Sequence, residues 1–141
     1  MAKESFQLDF EFEGLCFVIV SQEPEYRLCW GLNRELGLDL KRVQDLDALL
    51  DNKTIHEFPT FEQYEEKDFR FWRLVSIKDR GRVLIKEYSS FDYLLVLQAE
   101  TNTRVAELLL EALRKSKFIQ MAYLIDPKTL RGKYEYLLMQ S

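Results

Sequence analysis

Residues 91–126, FDYLLVLQAETNTRVAELLLEALRKSKFIQMAYLID, decide the fold. The opening "FDYLLVLQ" is apolar on nearly both faces, which marks a strand at the centre of a sheet. "TNTRVAELLLEALRKSK" shifts to a helical period, with Val105, Leu108, Leu109, Ala112 and Leu113 as its apolar stripe. Thr101, Asn102 or Thr103 can cap its start. Arg114, Lys115 and Lys117 gather at its end, where the helix dipole favours cations. "FIQMAYLID" returns to a period of two, with Ile119, Met121, Tyr123 and Ile125 in phase. Strand, helix and strand in that order predict a right-handed β-α-β crossover.

The N-terminal half repeats the theme. "FQLDFEFEG" alternates, with Phe6, Leu8, Phe10 and Phe12 on one face. Beyond Gly14 both faces turn apolar, so the strand passes under cover, and Gly14 suits a bulge or bend. "SQEPEYRLCWGLNRELG" reads as a helix that begins at Ser21 or Glu23, since Pro24 fits only its first turn. Leu28, Cys29, Leu32 and Leu36 keep helical spacing, and Gly37 is placed for a left-handed cap. "LDLKRV" is short and alternating, and "DLDALLDN" reads as one or two helical turns ending at Asn52.

The middle reads as a meander of strands. Pro59 makes "IHEFPTFEQYEE" an edge strand or irregular. "DFRFWRLVSI" reads as a strand with Phe69, Phe71, Val75 and Ile77 on one face, and "KDRGR" as a hairpin turn around Gly81. Asp126-Pro127 starts a helical turn, and "KYEYLLM" is read as a last strand. The expected architecture is a single α+β domain over residues 1–141. It has a mainly antiparallel sheet with two principal helices on one face, in an elaborated ferredoxin-like arrangement.

Composition narrows function by exclusion. Twenty basic and 24 acidic side chains leave a net charge of -4, which argues against nucleic acid or an anionic membrane as partner. The densest basic run, Arg70, Arg73, Lys78, Arg80 and Arg82, reads as a solvated hairpin. Ten Phe, seven Tyr and two Trp predict a core dominated by rings. "LCFVIV" falls far short of the roughly 20 apolar residues that span a bilayer. With no cleavable leader in view, a cytoplasmic protein is expected. Cys16 and Cys29 fit that setting as buried, reduced thiols with no metal-binding spacing.

The common catalytic and phosphate-binding motifs are missing, so no enzyme activity, cofactor or metal is assigned. His56 is the only histidine and has no evident nucleophile beside it. Polar interest centres on "IKEYSSFDY", residues 85–93, where Glu87 and Asp92 flank Tyr88-Ser89-Ser90 and Tyr93 opens the central strand. Two carboxylates can bind a divalent cation or divide acid and base roles. They can equally form a structural lock. Asp92 would then accept N–H groups of the preceding turn, and Glu87 would reach the same turn, Lys86 or a hairpin arginine. A second constellation, Tyr26, Arg27, Trp30 and Asn33 with Arg34, decorates the first helix. It can hold an anion or a partner's carboxylate, or it can pack as rings under arginine stems.

The stretch at 85–93 resembles the signature of the IPExxxVDY family, small bacterial proteins of unknown function known mainly from Bacteroidetes. Ile85, Glu87, Asp92 and Tyr93 match it, while Lys86 replaces proline and Phe91 replaces valine. "YRLCWGLN", residues 26–33, is also similar to a block of that family. The resemblance implies a cytoplasmic bacterial protein and brings no catalytic residues. Three functions remain open. The first is a non-catalytic module that binds a protein partner or forms a homo-oligomer, using Phe58, Phe61, Tyr64, Phe69 and Trp72 near a sheet edge. The second is a small-ligand sensor with a cleft between sheet and helices. The third is an enzyme using Glu87 and Asp92.

Overall fold

The computed structural model describes residues 11–51 and 53–140. The alternation over Phe6–Phe10 and the stop at Asn52 lie outside these residues. In chain order come β1 (Gly14–Val20), α1 (Glu25–Leu36), β2 (Lys41–Arg42), β3 (Leu46–Leu50), β4 (Thr54–Phe58), β5 (Thr60–Glu65) and β6 (Arg70–Ser76). There follow β7 (Lys78–Asp79), β8 (Arg82–Val83), β9 (Tyr93–Gln98), α2 (Thr103–Lys115) and β10 (Met121–Ile125). Short 3₁₀ turns occupy Lys86–Tyr88, Pro127–Leu130 and Glu135–Leu137.

Six strands form one antiparallel sheet in the order β10-β1-β9-β6-β5-β2. β9 lies inside it because both of its faces are apolar: Leu94 and Val96 bury on one side, Leu95 and Leu97 on the other. β1 reaches β6 after α1, and β9 reaches β10 through α2, each passage skipping one strand. That is the ferredoxin-like order. The elaboration is the segment β2 to β5, of which β5 and β2 widen the sheet and β3–β4 form a separate hairpin.

The sheet has a core on each face. Both helices lie on one, where Phe17, Leu28, Leu32, Leu74, Leu95 and Leu113 are fully buried. On the other, Val18, Val75 and Leu94 meet Phe58 of the hairpin, Ile85, and Leu137 and Leu138 of the C-terminal turns. Local signals set the helix ends. The Asn102 side chain accepts from the Val105 N–H at 2.9 Å, and Gly37 closes α1 at φ 67°. Pro24 stands just outside α1, its carbonyl accepting from Arg27 and Leu28. Among the described residues no helix is long and apolar enough to cross a membrane.

Five local expectations are corrected. Residues 46–50 are a strand, not helical turns, because Leu46, Ala48 and Leu50 turn inward with a period of two and pair with β4. "KYEYLLM" is not a strand. Leu137 and Leu138 are adjacent and both buried, which strand alternation forbids on a one-sided surface, and the chain coils in a 3₁₀ turn. Phe69 is 74% exposed at φ 52°, in the turn just before β6, and its expected inward face is completed by Arg73. Arg73 is therefore no part of a solvated basic run: it is 2% exposed. Leu108 is exposed, and Ala106 joins Leu113 as the buried centre of the α2 stripe.

Candidate functional site

The 85–93 segment is a junction. Its turn is closed by its own backbone, with Tyr88 N–H on the Ile85 carbonyl at 3.0 Å and Phe91 N–H on that of Tyr88 at 3.0 Å. Asp92 therefore takes a backbone N–H from Ser21 rather than from the preceding turn, and Glu87 is held mainly by Tyr134, so the partners differ from those expected of the lock. Glu87 accepts from the Tyr134 hydroxyl at 2.7 Å, and that hydroxyl in turn accepts from the Lys86 N–H at 3.3 Å. The bond from Tyr134 is the main reason the Glu87 carboxyl sits below the usual carboxylate range. Burial, then the bond to Glu87, raises the Tyr134 phenol.

Asp92 faces the opposite way along the sheet. Its Oδ2 accepts from the Ser21 N–H at 3.0 Å, and its Oδ1 lies 3.6 Å from Lys78 Nζ. Tyr93 is buried and donates to the Glu23 carbonyl at 2.6 Å, tying the start of β9 to the turn before α1. Burial, followed by Glu25, Asp92 and Glu23, raises the Tyr93 phenol. Glu87 thus bonds the C-terminal segment and Asp92 the β1–α1 junction, and among the described residues the two share no bonded partner. Lys86 pairs with Asp51 at 3.4 Å rather than with Glu87.

The first helix presents the second constellation. Tyr26 is 67% exposed and Trp30 51%. Trp30 stands edge-on to Phe118, with ring centroids 5.9 Å apart. The Arg27 guanidinium lies 6.0 Å from the Trp30 ring and 5.5 Å from Phe118, and that of Arg34 lies 5.5 Å from Trp30. Arg27 also pairs with Glu23 at 2.9 Å. Gly31 makes the close approach possible: a β-carbon there would stand 2.4 Å from the Phe118 ring. Asn33 leaves the group. Its amide accepts from the Leu40 N–H at 2.8 Å and donates to the Leu40 carbonyl at 3.0 Å, fastening the loop after α1. The surface is therefore Tyr26, Arg27, Trp30 and Arg34.

Other expected sites are redistributed. The space between sheet and helices is filled by buried side chains, so among the described residues no sensor cleft opens there. A groove of about 800 Å³ lies instead on the other face, with Lys86, Tyr134 and Tyr136 along one side and Ala48, Leu50 and Asp51 along the other. Of the proposed edge patch, Phe58, Phe61 and Trp72 are buried, and only Tyr64 and Phe69 remain exposed. His56 is half-buried, with Arg82 Nε donating to its Nδ1 at 3.4 Å. Among the described residues no group of three or more His, Cys, Asp or Glu is placed to hold a metal ion. No family model, curated protein or solved structure matches the chain.

Proposed function

We propose that the chain is a non-catalytic, cytoplasmic protein-interaction module of the family that its 85–93 segment resembles, and that α1 receives the partner. One observation carries this reading: Trp30 stands half exposed on α1, packed edge-on against Phe118 and flanked by two arginines. Trp, Tyr and Arg are the residue types that dominate binding energy at protein interfaces. Their fixed geometry lowers the ordering cost of binding. Two guanidinium groups beside an aromatic face suit a partner segment carrying a carboxylate next to an apolar side chain. The net charge of -4 supports a protein rather than a nucleic-acid partner. The two free cysteines suit a reducing compartment.

A displayed peptide library selected on the chain tests this. Peptides bearing Asp or Glu beside an apolar residue should be enriched. They should lose binding by about 2 kcal/mol or more on Trp30→Ala, as an interface hot spot does. Arg34→Glu should weaken them too, and Glu87→Gln should leave them unchanged. Enriched peptides that bind Trp30→Ala as well as the native chain would remove the reading. The ligand sensor is the second reading, favoured by the groove beside Lys86 and Tyr134, whose volume lies in the range of about 300–1,000 Å³ typical of ligand pockets. A melting temperature that no member of a metabolite panel raises disposes of it.

A further inference from the structure

β10 forms one edge of the six-stranded sheet, and among the described residues no strand lies beyond it. Edge strands of monomeric proteins are usually blunted by a charge, a proline or a bulge. β10 reads MAYLI and has neither charge nor proline. It pairs with β1 in unbroken register through all five residues, so it has no bulge either. Met121, Tyr123 and Leu124 are each nearly half exposed. The edge is guarded by a side chain from elsewhere. Arg114 of α2 donates from Nε to the Ala122 carbonyl at 3.0 Å, and its guanidinium lies 5.6 Å from the Tyr123 ring centroid. Ala122 and Tyr123 point to opposite faces, so the arginine reaches both around the strand's free side.

We propose that β10 pairs antiparallel with β10 of a second copy about a two-fold axis at Tyr123, and that Arg114 then exchanges its own Ala122 for the partner's Glu107 and Glu111. The proposal stands independently of the α1 surface. The strand is complementary to itself in that register. Met121 meets Ile125, Ala122 meets Leu124, Tyr123 meets itself, and Gln120 meets Asp126, so no like charges are opposed. The helix above the edge is complementary as well. Glu107, Glu111 and Arg114 share a face by spacing, and Arg114, Lys115 and Lys117 crowd the C-terminal end. A two-fold axis reverses α2 and brings Glu107 and Glu111 of each helix toward Arg114 of the other, Glu111 also pairing with Lys115 of its own helix at 2.7 Å. The result is a closed, isologous dimer with a continuous sheet, which leaves no edge at this strand.

Cysteine scanning of the full chain tests the axis, because the two native cysteines are buried. Residue 123 would oppose itself at a Cα separation of about 4.5–5.5 Å, within the roughly 4.4–6.8 Å that a disulfide spans. Under mild oxidation Tyr123→Cys should form a covalent dimer, and Met121→Cys, whose mate is two positions off the axis on each chain, should form about tenfold less. Sedimentation equilibrium should show mass rising with concentration from 16.9 kDa toward twice that value. Leu124→Lys and Arg114→Glu should hold the chain at single mass, with unchanged circular dichroism. Adding Glu107→Arg to Arg114→Glu should restore the dimer, and Trp30→Ala should leave mass unaffected. A single mass across the concentration range, with cysteines at 121 and 123 cross-linking equally, would overturn the proposal.

Discussion

Arg73 occupies an inward position on β6 between Phe71 and Val75, where a hydrophobic side chain is the usual choice. Its charge is tolerated because a carboxylate and backbone carbonyls meet it. Nε meets Glu62 at 2.8 Å, and Nη1 donates to the Leu137 carbonyl at 2.6 Å. Those bonds hold the C-terminal turn against the sheet. Arg73→Ala should therefore cost about 3 kcal/mol in urea denaturation, because Glu62 and the carbonyls of the turn lose their donor. Arg73→Lys should recover only part, since one ammonium cannot reproduce the planar fork. The thiols obey the opposite rule, being buried without a charge partner. Burial, helped by Asp126, pushes Cys16 up to about 12 from its ordinary 9.0. Burial likewise pushes Cys29 up to about 11, with the Asn33 bond opposing and Asp39 adding. A pKa raised by folding gives stability that is complete below 9.0 and is lost as pH rises through the folded value. Stability should thus fall with increasing slope above about pH 9, and Cys16→Val should reduce that slope. A thiol reagent at pH 8 should label neither cysteine in the native chain and both in denaturant.

At the scale of elements, α1 shows a packing demand overriding propensity. Gly31 sits mid-helix, where Ala would normally stabilise by about 1 kcal/mol. Here the Phe118 ring occupies the space of the missing side chain, at 2.4 Å from where a β-carbon would stand. Gly31→Ala should destabilise by about 1–3 kcal/mol in thermal or urea unfolding, the usual range for overpacking. It should also displace Trp30, which a red shift of its fluorescence would report. The same contrast between local and non-local causes explains what was legible in the sequence. β9, α2, the Asn102 cap and the Gly37 stop were readable because period and cap chemistry are local signals. Two helices each placed between strands suggest a ferredoxin-like arrangement, while the order of the six strands, with β5 and β2 at one side, is not readable from the sequence. β3 departs from the expected helical turns because its five residues, LDALL, fit either period. The burial of Arg73, the partner of Glu87 and the inward turn of Asn33 depend on residues 64, 47 and 7 positions away along the chain. No local pattern encodes such partners. The α1 surface was legible as a set of residue types, and only packing decided which members face outward.

For the molecule as a whole, the sheet needs cover on both faces, and the two covers differ in kind. The helical cover is built from long amphipathic elements with their own internal hydrogen bonds. The opposite cover is assembled from a hairpin and short 3₁₀ turns that cannot persist alone. It is held by side-chain ties that converge on the C-terminal segment: Tyr134 to Glu87, Tyr88 to Thr129 at 2.7 Å, and Arg73 to Leu137. That segment buries Leu130, Tyr134, Leu137 and Leu138 against β1, β6 and β9. At about 1.5–3 kcal/mol for each large apolar side chain, the four contribute on the order of the whole stability of a domain this size, about 5–15 kcal/mol. Ending the chain after Asp126 should therefore abolish cooperative unfolding, read as a lost thermal transition with binding of a hydrophobic dye. Glu87→Gln, by contrast, keeps an acceptor for Tyr134 and should stay folded. Its cost should be small near neutral pH and should vanish on acidification, because the lowered Glu87 pKa means that its contribution is lost as pH falls through the folded value. If the truncated chain instead melts cooperatively near the native temperature, the helical face alone supports the fold, and the 85–93 junction must be kept for something other than holding the C-terminal turns in place.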